Sequence, residues 1–287
     1  MSGRCTMILA ARPDELGHVV AREVSEALGA RFPGEIDIAA IDAADPTASV
    51  LSTRADVAVH RMEHLPPELP EELHLSAVLS RRSFTDALVA DRPLAELPRG
   101  ARVATSSLRR RAMLLRARPD LTIVETHADV RSRIQGWRVG ECDGVVLPTA
   151  SLRHLRIDAP FEELDPRTFV PSAGQGAVGC VGRPGSRFEE FLEEIDDART
   201  HLEVDVERGV ARALEGGADA PLGVHASKKG DRLNVHAVIL SLDGRRAVAL
   251  EETISGRDPA YEADDLADRL ARMGGDVLLA HARRMVG

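Results

Sequence analysis

Residues Val103–Arg118 read VATSSLRRRAMLLRAR. A short apolar run gives way to Thr105, Ser106 and Ser107, and an arginine-rich helical segment follows. Hydroxyl side chains at a helix start cap exposed backbone N–H groups, and the helix dipole there favours negative charge. Arg109, Arg110 and Arg111 stand in the first turn, where cations are usually disfavoured. Hydroxyls and guanidiniums together at a helix start suit an anion. A strand, a capped turn and a helix in this order also predict an α/β fold.

The same alternation runs outward from this stretch in both directions. Met7–Ala11 reads as a strand, Leu16–Leu28 has helical apolar spacing, Glu35–Ile41 alternates as a strand, and Asp56–His60 is another short strand. Asp42–Arg54 reads as a polar connector. Leu75–Leu79 predicts a strand and Phe84–Leu97 a crossover. Beyond the central helix, Leu121–Glu125 reads as a strand, Asp129–Arg138 as a helix, Gly144–Pro148 as a buried strand and Thr149–Leu155 as a helix. Two β-α-β units of this kind predict parallel sheets with crossover helices around a ligand cleft. Helices are predicted over Arg187–Ile195 and Asp197–Leu214. Three strands follow near Gly223–Ser227, Leu233–Leu240 and Ala247–Ser255, with Asp243-Gly244 as a hairpin signal. A closing helix interrupted at Gly274-Gly275 ends a small C-terminal α+β domain. The domain boundaries expected are 1–80 with 177–195, then 84–172, then 198–287.

Composition narrows the function classes. The chain has 287 residues, a net charge of −9 and no apolar run of membrane-spanning length. Neither nucleic acid nor membrane is an expected partner. The first residues lack a long apolar segment before charge, so a cytoplasmic location is expected. Cys5, Cys142 and Cys180 lie far apart, which fits a reducing compartment. The only lysines are Lys228 and Lys229. Arginine binds carboxylates bidentately but forms no Schiff base, so the positive charge suits anion recognition.

Two motifs promise more than their context supports. His60-Arg61-Met62-Glu63-His64 matches H-x-x-E-H, a zinc-protease pattern that requires a helix. Here it ends a strand and meets Leu65-Pro66-Pro67, so no metal is expected. Gly174, Gly176 and Gly179 spell G-x-G-x-x-G, but a strand-like run follows where a nucleotide fingerprint needs a helix. The better reading is a ligand-facing glycine loop that presents Gln175.

Several blocks together carry a resemblance. DVAVHRMEHLP, VATSSLRRRAMLLRARPDL, VRSRI, GECDGVVLPTASLRHL, VPSAGQGAVG, LEGGADAPLGVHA and GGDVLLAHARR occur in this order. The chain resembles the porphobilinogen deaminase (hydroxymethylbilane synthase) family over nearly its whole length. The resemblance implies two periplasmic-binding-protein-like domains around a cleft, and a third domain that carries a dipyrromethane cofactor on a cysteine. It implies a transferase that condenses four porphobilinogen molecules and releases ammonia each time. The partner is then a small acidic pyrrole or polycarboxylate, with no nucleotide, and the protein a monomer. By resemblance Arg12, Thr105, Ser106, Ser107, Arg109, Arg110 and Arg133 bind cofactor or substrate, and Arg81 and Gln175 face the cleft or its hinge.

The departures concern chemistry. The family's H-S-M-K-D-V-P block places a catalytic aspartate where this chain has His64, and its lysine where this chain has Glu63. The cofactor-bearing cysteine of L-E-G-G-C is Ala218, so covalent attachment is not expected. R-G-N-V reads His127-Ala128-Asp129-Val130, a binding arginine is His154, a serine is Asp14, and the mobile loop is shortened to Asp42–Arg54. Either His64, Glu63 or Asp129 substitutes as acid/base with a primer held non-covalently, or the chain is a silent binder of a pyrrole, tetrapyrrole or other polycarboxylate, or it runs a different reaction on a related substrate.

Overall fold

A computed structural model describes residues 5–216 and 220–286. In chain order the elements begin with β1 (Cys5–Ala11), α1 (Glu15–Arg31), β2 (Ile36–Asp42), α2 (Pro46–Leu51), β3 (Val57–Arg61) and β4 (His74–Val78). Next come β5 (Asp86–Val89), β6 (Arg102–Ala104), α3 (Leu108–Ala117), β7 (Thr122–Val124), α4 (Val130–Arg138), β8 (Gly144–Pro148), α5 (Thr149–His154) and β9 (Phe161–Glu163). The chain continues with β10 (Val178–Gly182), α6 (Glu189–Glu193), α7 (Ala198–Ala213), β11 (Leu222–Lys229), β12 (Arg232–Leu240), β13 (Ala247–Ile254), α8 (Pro259–Leu270) and α9 (Asp276–Val286).

The fold is α/β and forms two compact units. The first holds residues 1–82 and 176–202, the second 83–175 and 203–287. The first unit has a five-stranded sheet in the order β2-β1-β3-β10-β4. β1 runs parallel to β2 and β3, while β10 enters antiparallel to both β3 and β4. Its core joins Met7 and Leu9 of β1 to Val20, Val24 and Leu28 of α1 and to Phe188 and Leu192. Asp14 starts α1 by accepting from the Gly17 N–H at 2.6 Å.

The second unit contains a five-stranded sheet, β7-β6-β8-β5-β9, and the three-stranded antiparallel sheet β11-β12-β13. β6 is parallel to β7 and β8, and β5 is antiparallel to β8 and β9. The two sheets share apolar packing: Met113 and Leu114 of α3 lie in one cluster with Val238 and Leu240 of β12.

Three expectations are corrected. Neither five-stranded sheet is purely parallel, because β10 and β5 each return antiparallel after a long excursion. The connector 42–54 contains a helix: Asp45 accepts from the Ala48 N–H at 3.0 Å and Pro46 takes the first helical position. The crossover 84–97 contains strand β5. Among the described residues no helix is long and apolar enough to cross a membrane.

Candidate anion and acid/base sites

Both five-stranded sheets place their candidate residues just past the carboxyl ends of parallel strands, where α/β folds gather ligands. In the second unit β6 ends at Ala104, and the chain turns through Thr105, Ser106 and Ser107 into α3. Thr105 is buried, and its hydroxyl accepts from the Ser107 N–H at 3.2 Å. Ser107 is the N-cap of α3 and accepts from the Arg110 N–H at 3.4 Å.

The first anion at this helix start is the protein's own. Asp86, at the beginning of β5, is wholly buried. Arg109 donates to both of its oxygens, at 2.7 and 3.2 Å, and Arg110 Nε donates to Oδ1 at 2.8 Å. Burial alone would raise the Asp86 pKa. The charges and hydrogen bonds of Arg109 and Arg110 outweigh it and hold the carboxyl below its ordinary value. Arg109 also donates to the Val170 carbonyl at 2.7 Å.

Gln175 completes this network from a buried position. Its Oε1 accepts from Arg109 at 2.9 Å and from Arg110 at 3.2 Å, and its Nε2 donates to the Phe84 carbonyl at 2.8 Å and to Asp86 at 3.1 Å. Gly174 and Gly176 on either side adopt φ of 71° and 77°, which a side chain would strain. The chain passes from the second unit to the first between Gln175 and Gly176. Glu207 of α7 holds the other flank: it accepts from the N–H groups of Gly174 at 2.7 Å and Ala226 at 2.9 Å, and pairs with His225 at 3.1 Å.

Arg133 on α4 is half-buried. It donates to the Ala128 carbonyl at 2.6 Å and to the Ser106 hydroxyl at 3.4 Å. Its pKa is lowered by burial and by repulsion from Arg110, with Asp129 opposing. Partly desolvated guanidiniums that repel one another beside hydroxyl groups favour an added carboxylate. Asp129 is the N-cap of α4 and accepts from the Ser132 N–H at 2.9 Å and hydroxyl at 2.7 Å. These bonds, the backbone one first, hold its carboxyl below the ordinary value, which makes it an acceptor and a poor proton donor.

In the first unit Arg12 follows β1, and Glu63 and His64 form a short 3₁₀ turn after β3. Arg12 and Arg61 face Asp14 at 3.6 and 3.9 Å. Glu63 is nearly buried: one oxygen accepts from the Gly176 N–H at 3.1 Å, and the other lies 3.7 Å from His64 Nε2. His64 is half exposed. The Arg81 N–H donates to Thr200 at 3.2 Å. His60 sits on β3, bonded to Thr47 at 2.9 Å and apart from the turn that carries Glu63 and His64. Among the described residues no group of His, Cys, Asp and Glu side chains is arranged to hold a metal ion.

Comparisons with known proteins identify the family. Residues 44–188 match the family model "Porphobilinogen deaminase, dipyromethane cofactor binding domain", and 201–273 match "Porphobilinogen deaminase, C-terminal domain". The chain belongs to the porphobilinogen deaminase family. It is 40% identical to "Probable porphobilinogen deaminase" of Methanocella arvoryzae over 82% of this chain and 78% of that one. It is 39% identical to "Porphobilinogen deaminase" of Rubrobacter xylanophilus over 82% and 77%, and 34% identical to a relative from Methanococcoides burtonii over 94% and 90%. Among solved structures it is similar to an ancestral cationic amino acid solute binding protein (11% identity, 66% of this chain and 86% of that one, TM-score 0.47). A TRAP periplasmic solute binding protein from Desulfovibrio salexigens is similar too (11%, 68% and 73%, TM-score 0.45).

The deaminase family's cofactor raises the question of an anchor. Ala218, which the resemblance places at the attachment position, lies outside the described residues, and an alanine side chain carries no nucleophile. Cys180 is fully buried, and burial with the nearby Asp196 charge pushes its thiol up to about 12. Cys142 is also buried and its pKa is raised. Thiols so placed stay protonated and unreactive. The hydroxyl and guanidinium donors at the starts of α3 and α4 fit the carboxylates of a dipyrromethane.

Sequence reasoning missed Asp86 and Glu207. Asp86 had one signal, a lone acid opening the apolar run Ala87-Leu88-Val89. Glu207 had none beyond its place on the buried face of a helix.

Proposed function

We propose that the chain recognises the acetate and propionate groups of porphobilinogen, and runs the family's ammonia-releasing condensation to hydroxymethylbilane with an altered acid/base group and reduced turnover. The donor set Ser106, Ser107, Arg110 and Arg133 carries this reading. It offers hydroxyls and guanidiniums at the starts of two helices, and the pKa of Arg133 is lowered first by burial and then by repulsion from Arg110.

These residues would hold the carboxylates of a dipyrromethane primer without a covalent link. Such a primer supplies the free ring carbon onto which the first pyrrole is joined. In each condensation the methylene carbon of one porphobilinogen loses ammonia and bonds to the free α-carbon of the neighbouring ring, and that carbon then loses its proton. Loss of ammonia leaves a cation spread over the pyrrole, which a fixed carboxylate stabilises best. His64 stands at the family's aspartate position, and Glu63 is the carboxylate beside it. Glu63 balances the developing cation while His64 takes the α-proton. Glu63 already accepts from the Gly176 N–H, which leaves it less charge to offer a cation than an unbonded aspartate would have, so the rate falls.

Incubation with porphobilinogen, followed by oxidation and measurement of uroporphyrin, tests the proposal. Slow formation that accelerates in His64→Asp supports it. The second reading, a silent binder, is favoured by the combined loss of the aspartate and the cysteine. It requires that porphobilinogen raise the melting temperature while no uroporphyrin forms.

A further inference from the structure

The first turn of α3 presents two faces. Arg109 and Arg110 turn toward Asp86. Leu108 and Arg111, three residues apart, line a separate cavity of about 330 Å³ with Ser241, Leu242, Asp243, Arg246, His281 and Met285. All of these belong to the second unit.

Three cationic or protonatable side chains, Arg111, Arg246 and His281, line it together with the apolar Leu108, Leu242 and Met285. The lone acid on the wall is already engaged. Asp243 accepts from the Ser241 hydroxyl at 2.6 Å and the Arg245 N–H at 3.1 Å, and its other oxygen faces Arg245 at 3.7 Å. The wall is also fixed in place. The hairpin after β12 is closed by Ser241 N–H to the Arg246 carbonyl and Arg246 N–H to the Ser241 hydroxyl, both at 2.9 Å, and Arg116 reaches the Gly244 carbonyl at 3.4 Å. A preformed cavity with an apolar floor and a few convergent polar groups is the usual form of a small-molecule site.

We infer that this cavity is a second anion site, distinct from the Ser106–Arg133 set, for a compact apolar molecule carrying two carboxylates. Arg111 and Arg246 clamp the carboxylates, and Leu108, Leu242 and Met285 take the ring. The volume lies at the small end of ligand pockets, so a single ring system fits and a tetrapyrrole does not. The inference is independent of whether porphobilinogen is turned over.

Isophthalate serves as the probe, titrated into protein labelled at methionine methyl and histidine ring positions and followed by NMR. Saturable shifts of the Met285 methyl and His281 ring signals are expected, and they should be absent with sodium chloride at equal ionic strength. In R111A/R246A the affinity should fall roughly tenfold or more, as two charge-assisted contacts disappear; R111K/R246K should keep part of it. Both arginines are exposed, and an unchanged urea midpoint checks that the variants fold. Unmoved Met285 and His281 signals, an equal response to salt, or an unaltered titration in R111A/R246A would each overturn the inference.

Discussion

Asp86 shows how one buried side chain redirects a motif. Three arginines after a Ser/Thr cap read as an anion site, and the structure finds an internal carboxylate on two of them. Sequence pattern reveals a demand for negative charge but not whether the chain itself meets it, because Asp86 lies 23 residues from Arg109 and meets it only through β5. Removing one partner of a buried pair leaves the other charged and desolvated. Asp86→Asn should therefore cost about 3–5 kcal/mol of stability, read from urea unfolding. The acid dependence follows from the same group. Its folded pKa is below the unfolded value of about 3.9, so its contribution is fully present above that value and is lost as pH falls through the folded one. Wild type should lose stability over that acid range, and Asp86→Asn should show a flatter profile there. Ser107→Ala, which removes the cap of α3, should cost about 1 kcal/mol and weaken carboxylate binding at the same helix start. A stability loss with unchanged binding would separate the cap from the site.

At the scale of elements, most strands and helices were legible because their apolar spacing is local. Glu35–Ile41 became β2 at 36–42, and Asp197–Leu214 became α7 at 198–213. What escaped was set by distant partners. β10 pairs with β3 and β4 across more than a hundred residues of chain, so its antiparallel sense has no local signature. Helix α2 did have one, Asp45-Pro46 at cap and first helical position, within a segment whose polarity suggested a loop. The Asp243-Gly244 hairpin signal was read correctly but not its second duty. Gly244 has φ of 71°, and a Cβ there would lie 2.5 Å from the Ala112 carbonyl oxygen and from the Arg116 nitrogen of α3. The turn therefore sits directly on the helix that carries the candidate anion-binding residues. Gly244→Ala should cost about 1–2 kcal/mol for the left-handed backbone alone, and more for the clash with helix backbone. The urea midpoint reads that loss. Displaced α3 backbone amide signals in the same variant would show that the hairpin positions the helix start.

For the whole molecule, fold and chemistry part company. The sheets, the capped helix starts and the Gln175 hub need only packing and hydrogen bonds, and all survive with His64 and Ala218 at the altered positions. These two departures from the family pattern sit in different parts of the chain: His64 follows β3 in the first unit, and Ala218 lies between α7 and β11. Their effects should separate. Ala218→Cys alone returns a thiol to the family's attachment position, and intact mass should then show an added dipyrrole after incubation with porphobilinogen. His64→Asp alone should raise the rate without any change of mass. Together, Ala218→Cys and His64→Asp should give both a bound dipyrrole and uroporphyrin formation faster than either single change. An added mass on the unaltered chain would contradict the non-covalent primer, and would point to Cys5, the part-exposed thiol on β1, before the buried Cys142 and Cys180. A double variant that gains neither mass nor rate would place the defect in the shortened segment 42–54, now folded around α2, and the next restoration belongs there.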